Sequence, residues 1–280
     1  MSPREIVFLV FCILAGACIG SFTNVVIHRL PCPLDEPNEF GDVWDTNPWR
    51  SVLGGDSSCA DCGRKLTFGD LIPVFSWLVL RGRCRACGSR IAAYHPLVEA
   101  LVPALGVVAW LVVGWGWRLP LLLWLIPTGL AISVIDFQVL IVPTRIVWPS
   151  FFVAVAIAVA VALVIDQPRF LLNGLVGIAA LAGPLFVIWF IMPSGMGFGD
   201  VRLATLLGWC VGFSSGRSYG HSATLSFLTL AAAAVLGLII GIGALGARGR
   251  NAKVPFGPSL LIAGWAVALF APTVIGQGPS

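Results

Sequence analysis

Apolar residues run along this chain in long unbroken segments. They show neither the two-residue alternation of a half-buried strand nor the narrow 3.6-residue stripe of a soluble surface helix. The first segment covers Ile6 to Ile27. After a polar stretch from Arg29 to about Tyr94 come Leu97 to Trp115, Leu119 to Ile135, Ile146 to Ile165, Leu171 to Met192, Val201 to Phe213, Ala223 to Leu245 and Gly257 to Ile275. A helix needs about 20 apolar residues to cross a bilayer, and each segment here is bounded by Pro, Gly or a charge. The pattern predicts an all-α polytopic membrane protein with about eight transmembrane helices. Residues 1–28 form the first transmembrane helix, 29–95 a polar loop, and 96–280 the remaining membrane core. Arg4, Ala15 and Ala17 give the first segment a superficial likeness to a secretory signal. Its apolar character continues past any such cleavage point through GSFTNVVIH, which favours a span.

Composition agrees with this reading. With 58% hydrophobic and 11% charged residues the chain lies outside the range of soluble domains. Its net charge of +4 is modest and its lysines and arginines are concentrated in the polar loop, so the basic excess speaks of topology and of a lipid bilayer as surroundings, with no nucleic-acid partner. Counting Lys and Arg on alternate sides of eight spans puts 13 on the side of the loop and 4 on the other. The loop is therefore expected in the cytoplasm, and both termini outside. The stretch DEPNEFGDVWDTNPW within the loop shows no helical or strand period and reads as irregular.

Two acids stand out against the apolar background. Asp200 follows a glycine-rich run, Gly195, Gly197 and Gly199, at the start of the sixth segment, and Asp136 ends the third. A carboxylate at membrane depth costs roughly 2.5–3.5 kcal/mol on insertion scales, so such a residue points to function. The parity of the spans brings both acids to the same, cytoplasmic side. Two carboxylates in close approach titrate apart, so that one acts as base on a water and the other as acid toward a peptide carbonyl. Gly197 and Gly199 are the candidates for positioning a peptide strand, because glycine permits backbone approach and unusual conformations. Alternatives exist for each acid: Asp200 as a helix N-cap, and Asp136 as a solvated interfacial residue or the partner of Arg145.

Four cysteines give the loop its own chemistry. Cys59 and Cys62, in CADCG, and Cys84 and Cys87, in CRACG, have the spacing of paired zinc knuckles. Four thiolates on one tetrahedral ion form a closed shell, which implies a structural zinc. Arg64, Lys65, Arg83 and Arg85 are placed to offset its negative charge. Two independent redox dithiols are the alternative, though no thioredoxin-like pattern surrounds either pair. His28 and His95, near the ends of the loop, read as packing or hydrogen-bonding residues.

These residues resemble the bacterial type IV prepilin peptidases, the bifunctional leader peptidases and N-methyltransferases of the aspartyl GxGD class. The likeness rests on GSFTNVVIHRLP, the paired cysteines, IPVFSWLVLRGRCRACG through PLVEAL, VIDFQVLIVP, GMGFGDVRLATLLG and VPFGPSLLIAGW, and so covers nearly the whole chain. It implies a multi-pass enzyme of the bacterial cytoplasmic membrane that cleaves the leader of type IV prepilins or pseudopilins at the cytoplasmic face and then methylates the new N-terminus. By the same likeness Asp136 and Asp200 are its catalytic acids, and S-adenosylmethionine is the methyl donor. The chain departs from the family where Val142, Pro143 and Thr144 stand in place of IPD, and where Tyr94 and His95, instead of Arg and Tyr, precede Pro96. A non-enzymatic alternative is a carboxylate-coupled transporter or an assembly subunit. A transporter of that kind should carry internal repeats with interrupted helices, and no convincing repeat is found.

Overall fold

Uninterrupted apolar runs satisfy their backbone internally only as helices, the one open-ended solution in hydrocarbon. The computed structural model follows that rule: among the described residues every long element is a helix and no strand forms. The described residues are 3–30, 52, 54, 56–193, 195–216, 218–248 and 255–274, so the predicted irregular stretch from Asp35 to Trp49 lies outside them. The helices are α1 (Pro3–Arg29), α2 (Phe75–Val79), α3 (Tyr94–Val113), α4 (Leu119–Val139), α5 (Thr144–Val164), α6 (Arg169–Ile191), α7 (Phe198–Ser214), α8 (Tyr219–Arg248) and α9 (Gly257–Val274). The chain divides into two compact units, Met1–Val108 and Ala109–Ser280.

All eight predicted apolar segments are helical, but among the described residues six are long and apolar enough to cross a membrane: α1, α3, α4, α5, α6 and α8. The other two are shorter. α7 has 17 residues, about 26 Å of helix at about 1.5 Å per residue, against a hydrocarbon core of about 30 Å. It is buried almost continuously from Leu206 to Ser215, which makes it an enclosed strut of the second unit. α9 offers the apolar stretch Gly257–Phe270. The long spans instead present Leu, Val, Ile and Phe outward, as lipid-facing surfaces do. α4 departs from this, with 61% of its most apolar window buried against 18–33% for the other five spans.

In the first unit α1 meets α3 through small residues. A Cβ on Gly20 would lie 2.7 Å from Glu99 Cα, so only glycine allows this approach. Next to it the Asn24 side-chain amide donates to the His95 carbonyl at 3.0 Å.

In the second unit, α6, α7 and α8 lock together around glycines and hydroxyls. A Cβ on Gly177 would come within 2.1 Å of the Gly208 carbonyl oxygen. The Ser222 hydroxyl of α8 donates to the Asn173 carbonyl of α6 at 2.7 Å. Lipid is as apolar as Leu, so such close packing and interhelical hydrogen bonds, not exclusion from water, hold membrane helices together. α4 is tied to α5 by Trp124 Nε1 donating to the Ser150 carbonyl at 3.1 Å, and to α9 by Trp265 Nε1 donating to the Leu122 carbonyl at 3.3 Å.

Candidate active site and metal centre

Asp136 occupies the last turn of α4, and the helix stops directly after it. Leu140 takes a left-handed φ of 56°, and its N–H donates to the Asp136 carbonyl at 2.9 Å. The Asp136 carboxylate is buried, with a residue exposure of 4%. Its Oδ2 accepts the backbone N–H of Gly257 at 3.1 Å, at the first residue of α9, where the helix dipole favours negative charge. A Cβ on Gly257 would lie 2.7 Å from that oxygen, so the amide reaches it because the residue is glycine. No ion pair with Arg145 forms among the described residues.

Asp200 lies in the first turn of α7 and is half-buried. The N-cap of that helix is Gly197, and the Asp200 N–H donates to its carbonyl at 3.1 Å, so Asp200 does not itself cap the helix. Asp200 lies 64 residues from Asp136 in the chain, yet Gly199 beside it packs against Val142, six residues after Asp136. Leu203, one turn further along α7 and fully buried, would touch a Cβ on Gly257 at 3.6 Å, which sets α7 beside the start of α9.

Neither Gly197 nor Gly199 has a positive φ. Gly199 is glycine because a Cβ there would lie 2.8 Å from Val142 Cβ. Gly197, with φ −71° and ψ 137°, is extended and exposed, and a Cβ there would have only the Gly199 nitrogen, 3.9 Å away, within 4 Å. Thr144, which stands where the resemblance implies an Asp, takes a hydrogen bond from Arg202 of α7, and the Arg202 guanidinium also lies 5.3 Å from the centre of the Phe198 ring.

The cysteine loop folds as two matching turns. The Cys59 N–H donates to the Arg64 carbonyl and Gly63 N–H returns to the Cys59 carbonyl; Cys84, Ser89 and Gly88 repeat the arrangement. Gly63 and Gly88 sit at φ 67° and 72°, a conformation that favours glycine. The four sulfurs lie within 4.8 Å of one another and can hold one metal ion. A tetrahedral ion with metal–sulfur bonds of about 2.3 Å sets sulfurs about 3.8 Å apart, and Cys59 and Cys87 are separated by 3.9 Å. The backbone N–H groups of Cys62 and Asp61 hold the Cys59 thiol down at about 6, which favours the thiolate a metal requires. Hydrogen bonds from Ser89, its hydroxyl first and then its backbone N–H, lower that of Cys87.

The cations beside the cysteines answer to carboxylates. Asp70, nearly buried, faces Arg64 of the first turn at 3.4 Å and Arg85 of the second at 3.2 Å, bracketing the two, while Lys65 pairs with Asp56. The Thr67 hydroxyl, then its N–H, hold the Asp70 carboxyl below the usual range, with Arg85 and Arg64 adding to the effect.

The first unit also encloses a cavity of about 500 Å³ between α1, α3 and the cysteine loop. On its wall His28 Nε2 and His95 Nε2 are 3.1 Å apart, and the Tyr94 hydroxyl is 2.7 Å from His28 Nε2. Gly257, Asp70 and this aromatic cluster were not legible as site residues in the sequence. For Gly257 the sole signal was a Gly-Pro pair opening a predicted helix.

Comparison with known proteins divides the chain in two. Residues 14–113 match the family described as the bacterial peptidase A24 N-terminal domain, and residues 121–242 match the type IV leader peptidase family. A prepilin leader peptidase/N-methyltransferase of Aeromonas hydrophila is 32% identical over 283 residues, covering 91% of this chain and 88% of the relative. Proteins of the same description from Pseudomonas putida, 33% identical over 94% of this chain and 91% of the relative, and from Pseudomonas aeruginosa, 31% identical over 96% and 93%, also match. No solved structure matches the chain.

Proposed function

The chain belongs to the type IV leader peptidase family, and on that premise we propose that Asp136 and Asp200 carry the hydrolysis by which it removes prepilin leaders. It is a prepilin leader peptidase and N-methyltransferase, an enzyme with a protease and a methyltransferase activity on one membrane chain. Its substrates are type IV prepilins or the related pseudopilins.

The observation that carries the catalytic assignment is that the helix ends bearing the two acids pack together, Val142 beyond Asp136 against Gly199 beside Asp200 and Gly257 against both Asp136 and Leu203, in helices whose apolar sequences otherwise spare them any acid. One carboxylate takes a proton from a water as its oxygen attacks the peptide carbonyl, and the other protonates the carbonyl oxygen. As the tetrahedral species collapses, the C–N bond breaks and the departing nitrogen is protonated. The two environments differ: Asp136 is buried and its Oδ2 already accepts the Gly257 amide, whereas Asp200 stands at the more open glycine-rich entry. That difference supports Asp136 as base and Asp200 as acid at the outset. Gly197, exposed and extended, is suited to lie along an unwound stretch of precursor.

Zinc is the ion that suits four thiolates in two knuckle turns, and its closed shell gives it a folding role. The excess of Lys and Arg on the loop side supports a cytoplasmic loop in the bacterial inner membrane. S-adenosylmethionine, which supplies the methyl group when bound, suits the first unit's cavity in size, since small-molecule sites run from about 300 to 1,000 Å³. Trp77, Tyr94 and Glu99 on the cavity wall would hold it.

Mass spectrometry of a co-expressed precursor tests the reading. Asp136→Asn and Asp200→Asn should each leave the leader attached, at a loss of at least 100-fold in processing, with membrane levels of the enzyme unchanged. Full processing by either variant would end the assignment. In the parent the product should be one methyl group heavier than the cleaved chain.

A further inference from the structure

Methyl transfer to an amine has a proton problem that the cleavage site does not solve. The lone pair of nitrogen attacks the methyl carbon of the sulfonium, the carbon–sulfur bond breaks, and its electron pair stays on sulfur as a neutral thioether. An α-ammonium has no lone pair, and an ordinary α-amino group, with a pKa of about 7.7–8.0, is mostly ammonium at neutral pH. Some group must first take one proton.

We propose that the facing imidazoles of His28 and His95, on the wall of the 500 Å³ cavity, are that group, and that the newly exposed pilin amine enters this cavity to be methylated. The inference rests on the methyltransferase reading above. His28 lies in the last turn of α1 and His95 in the first turn of α3, 67 residues later. Their rings stack at 4.8 Å with 11° between planes, and Tyr94 stacks on His95 at 4.4 Å. This packing holds the two Nε2 atoms 3.1 Å apart. One proton between them satisfies both nitrogens, as donor on one ring and acceptor on the other. A second would set two N–H groups head to head. The pair therefore exchanges a single proton, and the Tyr94 hydroxyl, 2.7 Å from His28 Nε2, supports it from the side.

The surroundings leave this role to the pair. Of the other charged groups on the cavity, Asp70 is held by Arg64 and Arg85. Glu99 accepts the Val74 N–H at 2.7 Å and the Asn24 amide at 3.5 Å. Arg29, beside His28, donates to the Asp56 carbonyl at 3.0 Å, and Asp61 and Arg90 complete the set. The free base lies on the imidazoles, and His28 is exposed enough for an amine to reach it. These are also the positions where Tyr94 and His95 depart from the residues the family commonly has.

The test uses the full-length enzyme in detergent, a precursor peptide and a pre-cleaved peptide with a free amine. His28→Gln and His95→Gln should each slow methylation at pH 7 at least tenfold. The deficit should shrink toward parity near pH 9, where the amine is already free base. Cleavage of the precursor, carried by Asp136 and Asp200 in the other unit, is the internal control. The chain has three histidines, so imidazole NMR can follow the pair directly: His28 and His95 should titrate together with uptake of one proton, and the Gln variant of one should alter the titration of the other. Full methylation in both variants, a deficit that does not change with pH, or two independent titrations would overturn the proposal. If His95→Gln does not fold, His28→Gln, at an exposed position, decides alone. A parent that cleaves but never methylates removes the methyltransferase reading and this one with it, whereas a methylating parent with unaffected variants removes only this one.

Discussion

At Gly257 a missing side chain governs the placement of Asp136, the proposed catalytic base. Its amide reaches Asp136 Oδ2 at 3.1 Å, and a Cβ there would come to 2.7 Å from the same oxygen. Gly257→Ala should therefore push the carboxylate aside and weaken a charge-assisted hydrogen bond worth about 1.5–3 kcal/mol, lowering leader cleavage by roughly 10- to 100-fold. Precursor processing at matched enzyme level measures this, and unimpaired processing would mean that the amide is incidental. Asp136 and Asp200 were legible in the sequence because an acid in an apolar run is conspicuous. Gly257 was not, because a backbone donor leaves no side-chain signature. The glycines of the GxGD run were legible as a group but not by role: Gly199 allows Val142 to pack, and Gly197 leaves an open surface.

Helix α7 shows how an element's surroundings override its own hydropathy. Its sequence reads as a short span, yet it is enclosed by α6, α8 and α9, and glycine-to-backbone contacts set its depth. Gly177→Ala would force a methyl group within 2.1 Å of the Gly208 carbonyl oxygen. Overpacking of that kind costs about 1–3 kcal/mol, so thermal unfolding in detergent should occur at lower temperature and cleavage should fall with it. Gly183→Ala, on the same helix but with nothing within 4 Å of the added carbon, should change neither. Equal stability of the two variants would count against the packing described. The period of α6 told where its helix runs but not which face meets another backbone, since small residues occur on several of its faces.

For the whole molecule the chain is two units with separate chemistry, a loop region with its cavity and four cysteines able to hold one metal ion, and a helical unit with the two acids. The parent should contain one zinc per chain by metal analysis. Cys59→Ser or Cys84→Ser should release it and expose residues 56–91 to protease, because the metal's binding energy is folding energy for so small a module. A zinc-free parent would leave the knuckles without their ion. By itself the sequence determined the helices, the two acids and the four cysteines, because hydropathy, charge and ligand spacing are local properties of a chain. Only the tertiary structure decided that α7 is enclosed, that Gly257 serves Asp136, that Asp70 brackets both knuckles, and that His28 faces His95. Each of those depends on the distance between residues remote in the chain or on a backbone group common to every residue, and no one-dimensional pattern records either.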